Sequence, residues 1–319
     1  MSSTTLEHLE SLYSQPLFDL IHQARNVFVQ HRPGPEGREV QLCQLLSIKT
    51  GGCSEDCSYC AQSARYTTPV ESETLLPVAD VMAVAREARE NGATRFCMGA
   101  AWKGVREGTR AFDQILEIVR GVHALGLESC VTLGQLTAEA AHQLKAAGLH
   151  TYNHNLDTSP EFYPKIVTTH RYEDRLQTIQ HVQQAGIGVC CGGIIGMGES
   201  VRDRLRMLEV LAGFEPPPES VPLNCLMPMP GTPLADQPTV DVFELVRLIA
   251  VARITFPRAK VRLSAGRTQM SREAQALCLF AGANSIFFGE KLLTAGNPST
   301  EADLQLLADL GLSPQAPSP

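Results

Sequence analysis

The sequence predicts a (β/α)8 barrel behind a short helical extension, and three observations carry that prediction. Short apolar runs alternate with longer amphipathic runs about eight times, which specifies parallel strands joined by helices. Gly92, Gly126, Gly148 and Gly186 each stand at a helix end just before a strand, where C-cap glycines belong. Residues 41–312 contain no linker and match the about 250 residues or more of one closed barrel. A doubly wound open sheet is the structural alternative. One barrel replaces the two domains that chain length alone suggests.

Residues 1–40 read as an N-terminal helical extension. Leu17, Leu20, Ile21 and Ala24 fall at helical spacing, and Pro33-Gly34-Pro35 ends the segment. Strands are expected at 42–48, 94–98, 127–132, 149–154, 187–193, 221–226, 260–264 and 284–288. Helices are expected at 78–91, 110–125, 137–147, 171–185, 200–213, 240–255 and 270–281. Residues 313–319 are proline-rich and read as a disordered tail.

Of 319 residues, 44% are hydrophobic and 19% charged, the composition of a soluble globular chain. The net charge of −7, with no basic block, argues against a nucleic-acid partner. The first residues show neither a basic start nor an apolar h-region, so no signal peptide is expected. Val182–Gly198 is too short and too polar for a membrane span. A cytoplasmic location is the expectation, where thiols stay reduced. Ten cysteines then call for metal or catalytic roles rather than disulfides.

The strongest local signal is Cys53-Ser-Glu-Asp-Cys57-Ser-Tyr-Cys60. This CxxxCxxC follows the first strand, at the barrel's catalytic face. Structural zinc wants four ligands, commonly as two pairs. One loop here supplies three thiolates, which suits a [4Fe–4S] cluster with one iron free of protein.

This motif, with its aromatic before the last cysteine, resembles the radical S-adenosylmethionine (SAM) superfamily. Further blocks are similar to the biotin synthases within it: Leu46-Ser-Ile-Lys-Thr-Gly-Gly-Cys53, Arg95-Phe-Cys-Met-Gly-Ala-Ala-Trp102, Tyr152-Asn-His-Asn-Leu-Asp-Thr158, Val261-Arg-Leu-Ser-Ala-Gly-Arg267 and Ala281-Gly-Ala-Asn-Ser-Ile-Phe287. The resemblance runs from about residue 20 to 312.

A second constellation follows from strand parity. Cys97, Cys130, Cys190 and Arg262 lie on the second, third, fifth and seventh strands, and each can point into the barrel. A buried cysteine is by itself an ordinary small hydrophobe. A guanidinium buried without an anion costs several kcal/mol, so Arg262 needs a negative partner. A [2Fe–2S] unit on three thiolates would be one. The resemblance implies that these four residues ligate a [2Fe–2S] cluster; spacing alone makes Arg262 a counter-ion. Arg95 shares the parity of Cys97 and is expected to add positive charge nearby. Only one of the adjacent Cys190 and Cys191 can face inward, and the resemblance implies that it is Cys190. Cys43, Cys225 and Cys278 read as buried hydrophobes, with the alternative for Cys43 that it faces the cavity from the first strand.

The resemblance also implies binding roles. Asn155 and Asp157 reach the SAM ribose, with Asn155 near substrate as well. Tyr59 uses its backbone near adenine. Gly192 and Gly193 open a glycine-rich loop beside the methionine end. Arg175 pairs with the SAM carboxylate, although on sequence alone it reads as a solvated helix residue. Asn224 contacts dethiobiotin. The implied activity is that of a sulfurtransferase. An electron from a flavodoxin-type donor drives SAM cleavage to a 5′-deoxyadenosyl radical, and sulfur from the [2Fe–2S] cluster is inserted into dethiobiotin. A homodimer is expected on the same ground. Two rivals stand beside this reading. One is a maturase or methylornithine-type radical SAM enzyme, which would lack the Cys97/Cys130/Cys190/Arg262 set. The other is a zinc-stabilised binding module.

Overall fold

A computed structural model describes residues 4–316. Helices α1 (Leu6–Tyr13) and α2 (Leu17–His31) form the extension and lead into β1 (Glu39–Lys49). There follow α3 (Val78–Glu90), β2 (Arg95–Ala100), α4 (Arg110–Ala124), β3 (Glu128–Thr132), α5 (Ala138–Ala146) and β4 (Thr151–Asn153). Next come α6 (Tyr172–Gln184), β5 (Gly188–Cys190), β6 (Gly193–Ile195), α7 (Val201–Ala212), β7 (Ser220–Cys225) and α8 (Val242–Thr255). The chain ends with β8 (Lys260–Leu263), α9 (Arg272–Phe280), β9 (Ser285–Phe288), α10 (Thr300–Asp309) and β10 (Ser313–Pro314).

The sheet runs β1-β2-β3-β4-β5-β7-β8-β9, all parallel, and β9 pairs back onto β1 to close the barrel. The fifth strand expected over 187–193 is two pieces of one stave with a single offset to β7, Cys190↔Ser220 and Gly193↔Leu223. The gap is stitched from the loop after β4. Asp157 donates its N–H to Gly192 O at 3.2 Å and accepts from Ile194 N at 2.9 Å. The expected disordered tail is corrected at its start. The first residues of β1 lie beyond β2 and offer free backbone groups, so Glu39↔Ser313 and Val40↔Pro314 pair, and Gln315 N–H donates to Val40 O at 2.9 Å. Residues 317–319 lie outside the described residues. Helix α10, absent from the expected set, starts at Ser299, whose side chain accepts from Ala302 N.

Among the described residues no helix is long and apolar enough to cross a membrane. The main core lies between barrel and helices and includes Cys191, Cys225 and Cys278. Inside the barrel a separate buried cluster contains Cys43, Cys97, Cys130 and Cys190.

Arg253 on α8 is fully buried and fastens α8 to the β8–β9 region. Its guanidinium donates to the carbonyls of Phe256, Pro257, Ala259 and Gly282 and to Asn284 Oδ1, all at 2.8–3.1 Å. Arg253→Met strands these acceptors in the core. The expected loss is about 3 kcal/mol or more, read as a lower urea midpoint.

Candidate active site

The triplet loop is built by tight backbone turns and anchored from a neighbouring loop. After β1 the chain reverses through Gly51 and Gly52, both at φ 66°, a conformation that favours glycine. A Cβ on Gly51 would lie 2.6 Å from Glu71 O. Cys53 N–H donates to Gln62 O at 2.9 Å, Ala64 N–H to Cys53 O at 2.7 Å, and Cys60 N–H to Cys57 O at 2.9 Å. Asp56 accepts the N–H groups of Thr168 and Thr169 at 2.9 and 3.2 Å, and the Thr169 hydroxyl at 2.9 Å. Buried Glu55 pairs with Lys103 at 3.1 Å and with His170 Nδ1.

Burial works against the Asp56 carboxylate, but hydrogen bonds from Thr168 and Thr169 outweigh it and hold its pKa at about 2. A carboxyl depressed in the fold stabilises above its unfolded pKa and stops doing so as pH falls through its folded pKa. Asp56→Asn in metal-free protein should therefore lose the carboxylate's stabilisation in full above about pH 4, progressively less as pH falls, and none of it below about pH 2. Urea midpoints of both proteins across that window check this. Burial also pushes the Cys57 thiol up to about 12 and Cys60 to about 11. Both are protonated at neutral pH until a metal displaces the proton.

The second set meets inside the barrel. β2 and β3 pair at Cys97↔Cys130, and β4 and β5 pair at Asn153↔Cys190. Cys130 lies between Cys97 and Cys190 in one buried cluster, and the three thiols interact. The interaction holds the Cys130 thiol well below its usual value and pushes the other two up. Arg262 is 1% exposed and reaches Cys190 Sγ with Nη1 at 3.6 Å. Its Nε donates to Ser285 Oγ at 3.0 Å, the Phe287 ring lies 5.2 Å from its Cζ, and its buried Nη2 has no partner. No carboxylate pairs with Arg262 among the described residues. A buried guanidinium with a spare donor, ringed by thiols, fits an anionic iron–sulfur group.

Arg95 adds positive charge near the interior thiols, as expected. Its guanidinium also pairs with Glu128 at 2.7 Å and Glu219 at 2.8 Å, two carboxylates the sequence reading did not foresee. Of the two readings of Cys43, the structure favours the interior one: it joins the interior cysteines rather than the outer core. The described residues hold one group of three metal-type ligands within 4.8 Å of one another, Glu128, His150 and Glu219, which does not include a cysteine. In neither cysteine set, therefore, do three sulfurs all lie within 4.8 Å of one another, as they would at about 3.8 Å apart on a single tetrahedral zinc. That spacing suits a multi-iron cluster.

A cavity of about 280 Å³ joins the two sets. Tyr59 and Cys60 of the triplet loop line it together with Cys97, Cys130 and Arg262 of the barrel strands, and with Asn155, Asp157, Asn224 and Cys225. Asp157 sits at φ 67°, an uncommon conformation for a residue with a side chain. Tyr59 donates its hydroxyl to Asp157 Oδ2 at 2.7 Å, a side-chain contact outside the backbone role expected for it. Arg175 is buried, correcting the solvated-helix reading. It pairs with Asp157 at 2.8 Å and donates to Asn155 O at 2.6 Å and Tyr163 Oη at 2.5 Å. Asn155 Oδ1 accepts from Gly192 N at 3.2 Å. Asn224 donates to Gly193 O at 3.1 Å and accepts from Ala265 N at 3.3 Å. A Cβ on Gly192 would strike the Pro222 carbonyl, and one on Gly193 the Met207 sulfur, so packing explains both glycines.

Sequence reasoning missed Asn153, whose Nδ2 lies 3.4 Å from Cys190 Sγ and 3.2 Å from Asn155 Oδ1. It shares parity with Asn155 two residues on, and that was the available signal. It also missed Leu292–Ala295, which line the cavity from the segment after β9.

The sequence models of two families match: the radical SAM superfamily over residues 47–211 and the biotin and thiamin synthesis associated domain over 222–313. Biotin synthase of Synechococcus elongatus is 57% identical over 307 residues, 96% of this chain and 95% of that one. Biotin synthase of Myxococcus xanthus is 57% identical over 313 residues, 98% of this chain and 89% of that one. The crystal structure of methylornithine synthase superposes with a TM-score of 0.80 at 19% identity, covering 98% of this chain and 94% of that one, a likeness of fold. Identity at this level over nearly the whole length, with the radical SAM match across the triplet loop, means that the chain belongs to the biotin synthase family of radical SAM enzymes.

Proposed function

We propose that this chain converts dethiobiotin to biotin, cleaving SAM at the barrel mouth and inserting sulfur drawn from the barrel interior. One observation carries the reading: a single cavity is lined both by Cys60 and Tyr59 and by Cys97, Cys130 and Arg262. Cys53, Cys57 and Cys60 would hold a [4Fe–4S] cluster supplying the electron for SAM cleavage, and Cys97, Cys130, Cys190 and Arg262 a [2Fe–2S] cluster supplying sulfur. Asn155 and Asp157 bind the nucleoside, with Tyr59 beside it. Arg175 orients Asp157 through their ion pair and offers its cationic edge to the SAM carboxylate. Gly192 and Gly193 keep the wall thin next to that site. Asn224, clamped between Gly193 and Ala265, presents its amide to dethiobiotin. The apolar walls keep water from a radical that would otherwise be quenched. A flavodoxin-type electron donor, a homodimeric state and a cytoplasmic location complete the proposal.

Anaerobic turnover with dethiobiotin, SAM and a reductant tests it, using protein reconstituted with ³⁴S-sulfide. Biotin carrying ³⁴S is expected. Biotin with unlabelled sulfur, or SAM cleavage without biotin, would overturn the reading.

A further inference from the structure

The barrel interior holds one more donor than a [2Fe–2S] cluster needs. Cys43 comes from β1, between β2 and β9. Its Sγ lies 3.4 Å from Ser285 Oγ, the same hydroxyl that accepts from Arg262 Nε at 3.0 Å. It lies in the same buried cluster as Cys97, Cys130 and Cys190. These four thiols, Arg262 and Ser285 form one ring of groups inside the barrel, with Arg262 reaching Cys190 on one side and Ser285 on the other. Cys43 and Arg262 are the two members that flank Ser285. The unpartnered Nη2 of Arg262 is buried in the same place and marks the ring as a ligand pocket.

We propose that Cys43 is an alternative ligand of the interior cluster, able to take the coordination position of Arg262. This rests on the reading of that pocket as a [2Fe–2S] site. Four positions on the two irons face five donors. Thiolate is the softer and stronger ligand for iron than a guanidine nitrogen. The exchange breaks the Cys43 S–H bond and the Fe–N bond and forms an Fe–S bond. The proton passes to the released guanidine of Arg262, and no electron moves. The pocket keeps its charge balance, because a guanidinium again faces an added thiolate.

The test uses the full chain with Cys53, Cys57 and Cys60 changed to alanine, so that iron reports the interior site alone. Iron, sulfide and visible absorption are measured after anaerobic reconstitution. In this background the otherwise unchanged pocket should hold two iron and two sulfide; failure here sinks the underlying site and the proposal with it. Arg262→Ala should keep that content, its absorption shifted toward all-thiolate ligation. Arg262→Ala with Cys43→Ser should lose most of it. Loss in both variants, or retention in both, overturns the proposal. If the double variant does not fold by circular dichroism, resonance Raman spectra of Arg262→Ala decide. An added iron–thiolate stretch supports Cys43 as ligand, and a spectrum without one overturns it.

Discussion

Cys53→Ala is expected to reduce 5′-deoxyadenosine formation to background, measured in single turnover with SAM and excess reductant. The geometry leaves no substitute ligand. Cys53 is clamped at both backbone groups, by Gln62 O and Ala64 N, so its sulfur position is set by the loop closure itself. The remaining cysteines lie on strands or helices inside the barrel or in the outer core, not on this loop. A cluster held by two thiolates has no stable third attachment and no fixed open iron. Stability should change little, because Cys53 is only part-buried and its side chain is not part of the core. A drop in SAM cleavage with an unchanged urea midpoint therefore separates a ligand role from a folding role. Normal 5′-deoxyadenosine formation would overturn the assignment of this loop.

The alternation of strands and helices was readable because amphipathic helices and buried strands have different periods. The four cap glycines showed the boundaries, and all four adopt positive φ, between 69° and 93°. The triplet was readable because its chemistry is local: three thiols in one loop need no knowledge of the fold. Facing was harder. β1 is buried on both sides, so alternation along Gln41-Leu42-Cys43-Gln44-Leu45 carries no contrast between inside and outside. Cys43 consequently read as a plain hydrophobe first and as a cavity-facing residue second. The carboxylates that hold Arg95 come from β3 and the segment just before β7. Their meeting depends on barrel stagger, which no single strand encodes. Arg175 faces inward because the loop after β4 folds over its helix end to bring Asp157 to it, and helical periodicity of α6 does not report that. The β10 pairing hides in a proline-rich tail because a two-residue strand has no period.

Of the two adjacent cysteines on the fifth stave, Cys190→Ala should lose the interior cluster and Cys191→Ala should keep it. Side chains alternate along a strand, and the structure puts Cys190 beside Arg262 and Asn153, with Cys191 packed in the outer core. Removing the Cys190 sulfur takes away a thiolate that Cys43, which stands at Ser285 and is placed to replace Arg262 only, does not make good, and it leaves the Arg262 guanidinium facing an apolar gap. Biotin formation should fall to background while SAM cleavage at the mouth continues. Removing the Cys191 sulfur takes one atom from a packed core, at a cost of about 1 kcal/mol, and leaves cluster absorption and biotin formation standing. Sulfide content, visible absorption and biotin yield on the two variants check this. The reverse pattern would mean that the stave is rotated by one residue, since a slip of one exchanges every inward side chain for its neighbour. The same rotation would turn Asn155 and Gly192 out of their hydrogen bond. The two cysteines therefore test the register of the whole wall that carries Asp157.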